Sequence, residues 1–469
     1  MRLGILIMAA GKGTRLKSKK AKVLHEIGGR PLLAHVVAAA AQVVPPQDIF
    51  AIVGHQAEAV QAAVRDAGIG FIVQEEQRGT GHAIQVAEAA TRDYDELIVL
   101  SGDVPLLRPE TIVALRDFHL REQAAMTILT AAPENPFGYG RVLRRKPNAP
   151  EVAAIVEQKA LTTEQQSARE INSGIYAFRR AALYAHIGQL RADNAHKELY
   201  LTDLAGNLVD AGERVVAVEG AESMEILGAN TIAEMMDLDR AMRMATARRL
   251  MDAGVTIFRP DTVTMDAGVE VGPDTVIEPY VQLLGATKVG SDCRIRSFSV
   301  LENMTLGDRV LVQQSCVLEQ SEIAKGAQLG PFAHLRPGCH IGEGAHIGNF
   351  VEGKKVRMGA GSKANHLSYL GDAQIGSGVN IGAGAITCNY DGVAKYQTLI
   401  EDGVFVGSDS TLVAPIVIGE GAYIAAGSCI TEDVPADALA LGRAHQTTKP
   451  HWAKNRRAQR DAGKSGTTK

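Results

Sequence analysis

The sequence predicts two different folds in one chain: a doubly wound α/β domain over residues 1–229, then a parallel β-helix of hexapeptide repeats over residues 253–447. Three observations carry this. Short branched apolar runs alternate with helical patterns in the first half, and aliphatic residues recur every six positions in the second. The chain is also rich in glycine, 48 of 469 residues, yet only 4% aromatic, and more than half of those glycines follow Gly254.

Taken in order, Leu3 to Met8, Ile49 to Val53, Phe71 to Val73 and Leu97 to Leu100 are short and bounded by polar or glycine turns, as buried strands are. Pro31 opens a segment with Leu32, Leu33, Val36, Val37 and Ala40 at helical spacing. Residues 230–252 lack Gly and Pro and mix Met235 and Met236 with Asp237, Asp239, Arg240 and Arg243, which reads as a linker helix. Beyond Gly254 the period is six: Leu329, Leu335, Ile341, Ile347; then Ile375, Ile381; then Val406, Leu412, Ile418, Ile424. Glycine directly follows many of them. Each hexad makes one flat side with its aliphatic inward, and glycine turns the corner without a side-chain clash. Stacked coils bury aliphatics rather than rings, which accounts for the low aromatic content. Residues 353–357 and 388–399 break the repeat and are expected to be extruded loops. His334, His340 and His346 fall on outward positions of successive sides, where one chain cannot bring them to a single ion. Residues 448–469 are basic and end in Gly, Ser and Thr, the composition of a flexible tail.

A net charge of −4 argues against nucleic-acid binding by bulk charge, and no apolar run approaches the roughly 20 residues a membrane span needs. Met1 to Ala10 runs into Gly11 without a cleavage pattern and reads as a strand, not a signal peptide. Cys293, Cys316, Cys339, Cys388 and Cys429 are odd in number and never arranged as CxxC, so a reduced cytoplasmic chain is expected.

In doubly wound sheets ligands sit beyond the carboxyl ends of the strands. There the chain places Ala9, Ala10, Gly11, Lys12, Gly13 and Arg15, whose free backbone N–H groups and cations suit a phosphate chain. The spacing matches neither GxGxxG nor the Walker loop. Lys22 could neutralise a further phosphate. Asp103 closes Ser101–Gly102–Asp103 at the end of another strand, a position that suits a Mg²⁺ ligand. Gln74, Gly79 and Thr80, then Gly140, Glu157 and Asn172, pair loop glycines with hydrogen-bonding side chains.

In this order the motifs resemble the sugar-phosphate nucleotidyltransferases. With NFVEGKK, KANHLSYLGD and NIGAGAITCNYDG in the second half, residues 3–447 are similar to the bacterial bifunctional N-acetylglucosamine-1-phosphate uridyltransferases and glucosamine-1-phosphate acetyltransferases, whose β-helix is left-handed. The resemblance implies UTP and acetyl-CoA as co-substrates, Mg²⁺ between Asp103 and Asn230, and a homotrimer. It puts nucleotide contacts on Ala9 to Gly11, Arg15, Lys22, Gln74, Gly79 and Thr80, and sugar contacts on Gly140, Glu157 and Asn172. The family's familiar tripeptide begins with Tyr where this chain has Ser101, which removes any ring contact from that position.

For the second site the resemblance assigns His366 as the base on the sugar amine and Glu352 as its orienting partner. Sugar-phosphate contacts map to Arg336, Lys354, Tyr369 and Asn380, with Asn389, Tyr390 and Lys395 on the second loop. Acetyl-CoA contacts map to Ala383, Ser408, Ala426 and Arg443. The alternative reading is a β-helix that only regulates or scaffolds; an outward His366 and a long loop are features that reading does not need.

Overall fold

The computed structural model describes residues 1–146, 149–194, 197–220 and 222–465, with side chains to Ala462. It divides into two units: residues 1–249 with 265–269, and residues 250–264 with everything from 270 onward.

The first unit is built on a sheet whose main path runs Val215–Glu219, Met126–Ala131, Ile171–Arg179, Glu96–Ser101, Leu3–Ala9, Ile49–Val53, Gly70–Val73. Leu3–Ala9 pairs in parallel with strands on both sides. The sheet is nevertheless mixed, because Ile171–Arg179 runs antiparallel to both its neighbours. Ile5 and Ile7 face one apolar layer and Leu6 the other, so helices cover both faces and the strand reads as a continuous apolar run. Leu32–Ala40 forms the expected helix, burying Leu32, Leu33, Val36 and Val37.

The helix read as a linker spans Ile232–Asp252, and through Arg249 it belongs to the first unit. Met235, Leu238 and Met242 pack with Leu16, Ile27, Leu32 and Ala229. Its charged residues hid this narrow apolar stripe in the sequence. Beside the stripe Asp239 accepts from the Gly28 N–H at 2.8 Å, and Arg243 bridges Asp239 and Asp266 at 2.8 and 2.7 Å.

The second unit is a three-sided prism with parallel sheets of eleven, ten and nine strands on its first, second and third faces. Inward positions align coil upon coil: on the first face Leu329, Ile347, Ala364, Ile381, Val406 and Ile424 are successive register partners, all buried. Residues 353–357 are not an extruded loop. Gly353 takes the inward place beside Leu335, and Met358 takes the next one five positions later, so the coil is shortened and stays in the wall. The missing side chain is what fits there: a Cβ on Gly353 would lie 2.8 Å from Leu335 Cδ2. Of residues 388–399, only 389–397 leave the wall, with Tyr390 and Lys395 bridged across the loop and Val393 exposed; Cys388 ends one wall strand and Thr398 and Leu399 open the next.

The basic tail is not without secondary structure. Trp452–Ser465 is a helix, formed by a run of good helix formers between Trp452 and Ala462, while residues 466–469 lie outside the described residues. Among the described residues no helix is long and apolar enough to cross a membrane, and all five cysteines are free thiols.

Candidate functional sites

In the first unit the turn after Leu3–Ala9 is shaped by close approach. Ala9 and Ala10 are buried and present only backbone; Gly11 has open space where a Cβ would stand. Gly13 sits at φ 62°, and a Cβ there would meet Lys22 Cβ at 2.6 Å, so the glycine lets the loop lie against Lys22. Arg15 lies exposed on the short helical turn Thr14–Leu16 that follows.

Lys22 ties together the two oxygen donors assigned to a metal. Its ammonium is paired with the Asp103 carboxylate and donates to Asn230 Oδ1 at 3.2 Å. Two hard oxygen donors thus gather around one cationic centre, which is the donor chemistry Mg²⁺ takes. Gly228, which the sequence reading missed, makes room for this: a Cβ there would lie 2.8 Å from Asp103 Oδ2. Glu234 is also close, accepting from the Asn230 N–H at 2.7 Å. Among the described residues no group of three His, Cys, Asp or Glu could hold a metal.

The other expected residues hold loop geometry as well as contact surface. Gln74 is buried and donates to the Gly79 carbonyl at 3.2 Å; Gly79, at φ 108°, passes so near Leu199 that a Cβ would be 2.5 Å from its carbonyl oxygen. Thr80 Oγ1 accepts from the Leu201 N–H, and Ser101 Oγ donates to the Gly174 carbonyl. Gly102 packs on Met8 O, where a Cβ would sit at 2.9 Å. The Gly140 carbonyl accepts from the Asn172 N–H, and Asn172 Nδ2 donates to Tyr176 OH at 2.8 Å. Glu157 lies beside Gly140; burial pushes its carboxyl up, partly offset by a bond from Thr202. Burial likewise raises Tyr139, which feels Glu234, Asp103 and Arg15.

In the second unit His366 ends the strand Lys363–His366 at the corner between the first and second faces. Backbone bonds stack Asn349, His366, Ala383, Ser408 and Ala426 in one column: each carbonyl before Ala426 accepts from the N–H that follows the next member. Arg443 closes the column by donating to the Ala426 carbonyl at 2.7 Å. His366 and the four residues to which the resemblance assigns acetyl-CoA therefore share one edge of the prism.

The second face carries the charges. Glu352 and Tyr369 are register partners, and Glu352 accepts from Arg336 at 3.4 Å. Glu352 does not meet His366; the partner of His366 Nδ1 is Asn349 Oδ1, at 3.3 Å. Two residues and a corner separate Asn349 from Glu352, and the turn carries the carboxylate onto the second face. Lys354 is pushed below its ordinary value by Lys395, brought over by the loop, and by Arg336. Asn389 Nδ2 donates to Asp372, anchoring the loop, whereas Tyr390 is exposed and donates to Gly392. Asn380 lies on the first face opposite Lys363 and is not gathered with this cluster. His334 and His340 approach Glu319 and Glu322 on different faces.

A model described as the MobA-like NTP transferase domain matches residues 5–201, and one described as bacterial transferase hexapeptide (six repeats) matches 268–303, 320–352 and 397–432. The chain is a nucleotidyltransferase joined to a hexapeptide-repeat transferase. The bifunctional protein GlmU of Koribacter versatilis is 59% identical over 459 residues, 98% of each chain. Those of Solibacter usitatus and Syntrophotalea carbinolica are 50% and 48% identical, over 97% and 96% of each chain. The chain belongs to the family of bifunctional GlmU proteins. It is an enzyme with two activities: it acetylates glucosamine 1-phosphate with acetyl-CoA, and it transfers UMP from UTP to N-acetylglucosamine 1-phosphate, giving UDP-N-acetylglucosamine and pyrophosphate.

Proposed function

We propose that the two reactions run at the two sites described above, acetyl transfer first, in a cytoplasmic homotrimer. For uridyl transfer, the loop from Ala9 to Arg15 receives the triphosphate on backbone N–H groups and cations, and Gln74, Gly79 and Thr80 receive the base. Gly140, Glu157 and Asn172 hold the sugar so that its phosphate lies in line with the α-phosphate. Asp103 and Asn230 would hold Mg²⁺, which supplies charge neutralisation for the triphosphate and the leaving pyrophosphate. The convergence of both oxygens on the Lys22 ammonium supports this reading.

For acetyl transfer, the column from His366 to Ala426 with Arg443 takes acetyl-CoA, and Arg336, Lys354 and Lys395 take the sugar phosphate. His366 accepts the amine proton. The observation that carries this reading is the shared column. A second copy is supported by the same corner, where Tyr280, Phe298, Phe332, Phe350 and Leu367 are 48–64% exposed in the single chain. Tyr280 stacks on Phe298 and Phe332 on Phe350, each at 5.2 Å. This apolar edge ends beside His366, so a neighbour covering it would border the site.

The test is an assay offering acetyl-CoA, glucosamine 1-phosphate, UTP and Mg²⁺, with free thiol and pyrophosphate followed separately. Thiol is expected to lead and pyrophosphate to lag; a chelator should stop only pyrophosphate. Equal pyrophosphate release when acetyl-CoA is omitted would contradict the order, and a chelator-insensitive rate would contradict the metal.

A further inference from the structure

We infer that Asn349 is a positioning residue for His366: its side-chain oxygen keeps the imidazole hydrogen on Nδ1 and so leaves the Nε2 lone pair to take the proton of the attacking amine. This rests on the reading of His366 as the base. Asn349 and His366 are direct register partners at the ends of the parallel strands His346–Asn349 and Lys363–His366. The Leu367 N–H donates to the Asn349 carbonyl at 3.0 Å, and Nδ1 lies 3.3 Å from Oδ1. The residue after each, Phe350 and Leu367, is in the left-handed region at φ 58° and 52°, so the chain turns the corner identically on both coils. Gly348 permits the close stacking, since a Cβ there would fall 2.0 Å from the Asn365 carbonyl oxygen. The nearby carboxylate, Glu352, is engaged by Arg336.

The chemistry requires such a partner. A neutral imidazole that donates from Nδ1 has Nε2 as its one basic nitrogen. In the reaction the amine nitrogen bonds to the thioester carbonyl carbon, the C–S bond breaks, and coenzyme A leaves as a thiolate. The amine proton passes to Nε2 and then to the thiolate, which regenerates neutral imidazole. An amide on Nδ1 fixes the tautomer without adding the negative charge that would hold the ring protonated. His346 on the preceding coil is the titratable group whose charge is coupled to that of His366; Lys363, on the strand of His366, is the register partner of His346, and the following strand, Asn380–Ile381, carries no titratable residue.

The experiment measures thiol release by the full-length protein at saturating glucosamine 1-phosphate across pH for Asn349→Ala, Asn349→Asp and His366→Ala. Asn349→Ala should lower kcat on the order of tenfold with both KM values within about twofold. Asn349→Asp keeps the acceptor and should recover kcat on the alkaline plateau. Its carboxylate stabilises the imidazolium, so its acid limb should move up by about one pH unit. Pyrophosphate release from UTP and N-acetylglucosamine 1-phosphate should be unchanged in all three. If His366→Ala is inactive in acetyl transfer and the acid limb of Asn349→Asp stays at the wild-type pH, the inference fails and the base stands. An active His366→Ala would overturn both.

Discussion

In the proposed function each site turns on a single side chain, Asp103 in one and His366 in the other. Asp103 stands at a strand end with Lys22 and Asn230 around it. An amide in its place would be a poorer metal ligand, so Asp103→Asn should reduce pyrophosphate release by roughly 100-fold or more. Thiol release should be untouched, which a two-readout assay checks. The reverse is expected of His366→Ala, with thiol release lost and uridyl transfer kept when N-acetylglucosamine 1-phosphate is supplied. Lys354 tests the phosphate subsite. Lys395 and Arg336 push its pKa down because three cations crowd one place, and a phosphate dianion would relieve that repulsion. Lys395→Met should therefore raise the KM for glucosamine 1-phosphate about tenfold, leave that for acetyl-CoA unchanged, and weaken its dependence on salt.

At the scale of elements, the prism depends on backbones that touch where glycine stands. Gly348 faces the Asn365 carbonyl, and because the obstacle is backbone the coil itself must move to admit a methyl group. Gly348→Ala should lower stability by about 1–3 kcal/mol, seen as a lower Tm, and impair acetyl transfer more than uridyl transfer. Gly206 gives the contrast. It lies inside the helix Asp203–Asp210 with nothing within 4 Å of a Cβ, so Gly206→Ala should stabilise by about 0.5–1 kcal/mol through helix propensity. The five-residue step from Gly353 to Met358 is shared by other coils at the same corner, Leu301 to Leu306, Leu318 to Ile323 and Leu370 to Ile375, so the shortened coil belongs to the corner and not to the glycine.

For the whole molecule, the expected assembly has a functional consequence. The charged cluster lies on the second face, and the column lies at its edge, continuous with exposed rings that a single chain leaves in water. Burial of those rings favours association of copies. Light scattering should give three times the chain mass, and dilution or mild denaturant should abolish thiol release before pyrophosphate release. Equal survival of both activities in a monomer would overturn the shared site and leave the fold untouched.

The sequence by itself determined both folds, because the periods that distinguish them are local: branched strands with helical spacing before residue 229, hexads after Gly254. The placement of Ala9 to Arg15 and of Asp103 at strand ends was legible for the same reason, since topology puts the residues after such strands beyond the sheet. Only the tertiary structure decided what depends on residues distant in sequence. Lys22 meets Asp103 and Asn230 through three separate segments, and the methionine stripe of Ile232–Asp252 acquires meaning only against Leu16, Ile27 and Leu32. His366 finds Asn349 rather than Glu352 because the pairing of coils, with each side chain projected by its own corner, chooses partners across a 17-residue separation that no local pattern records.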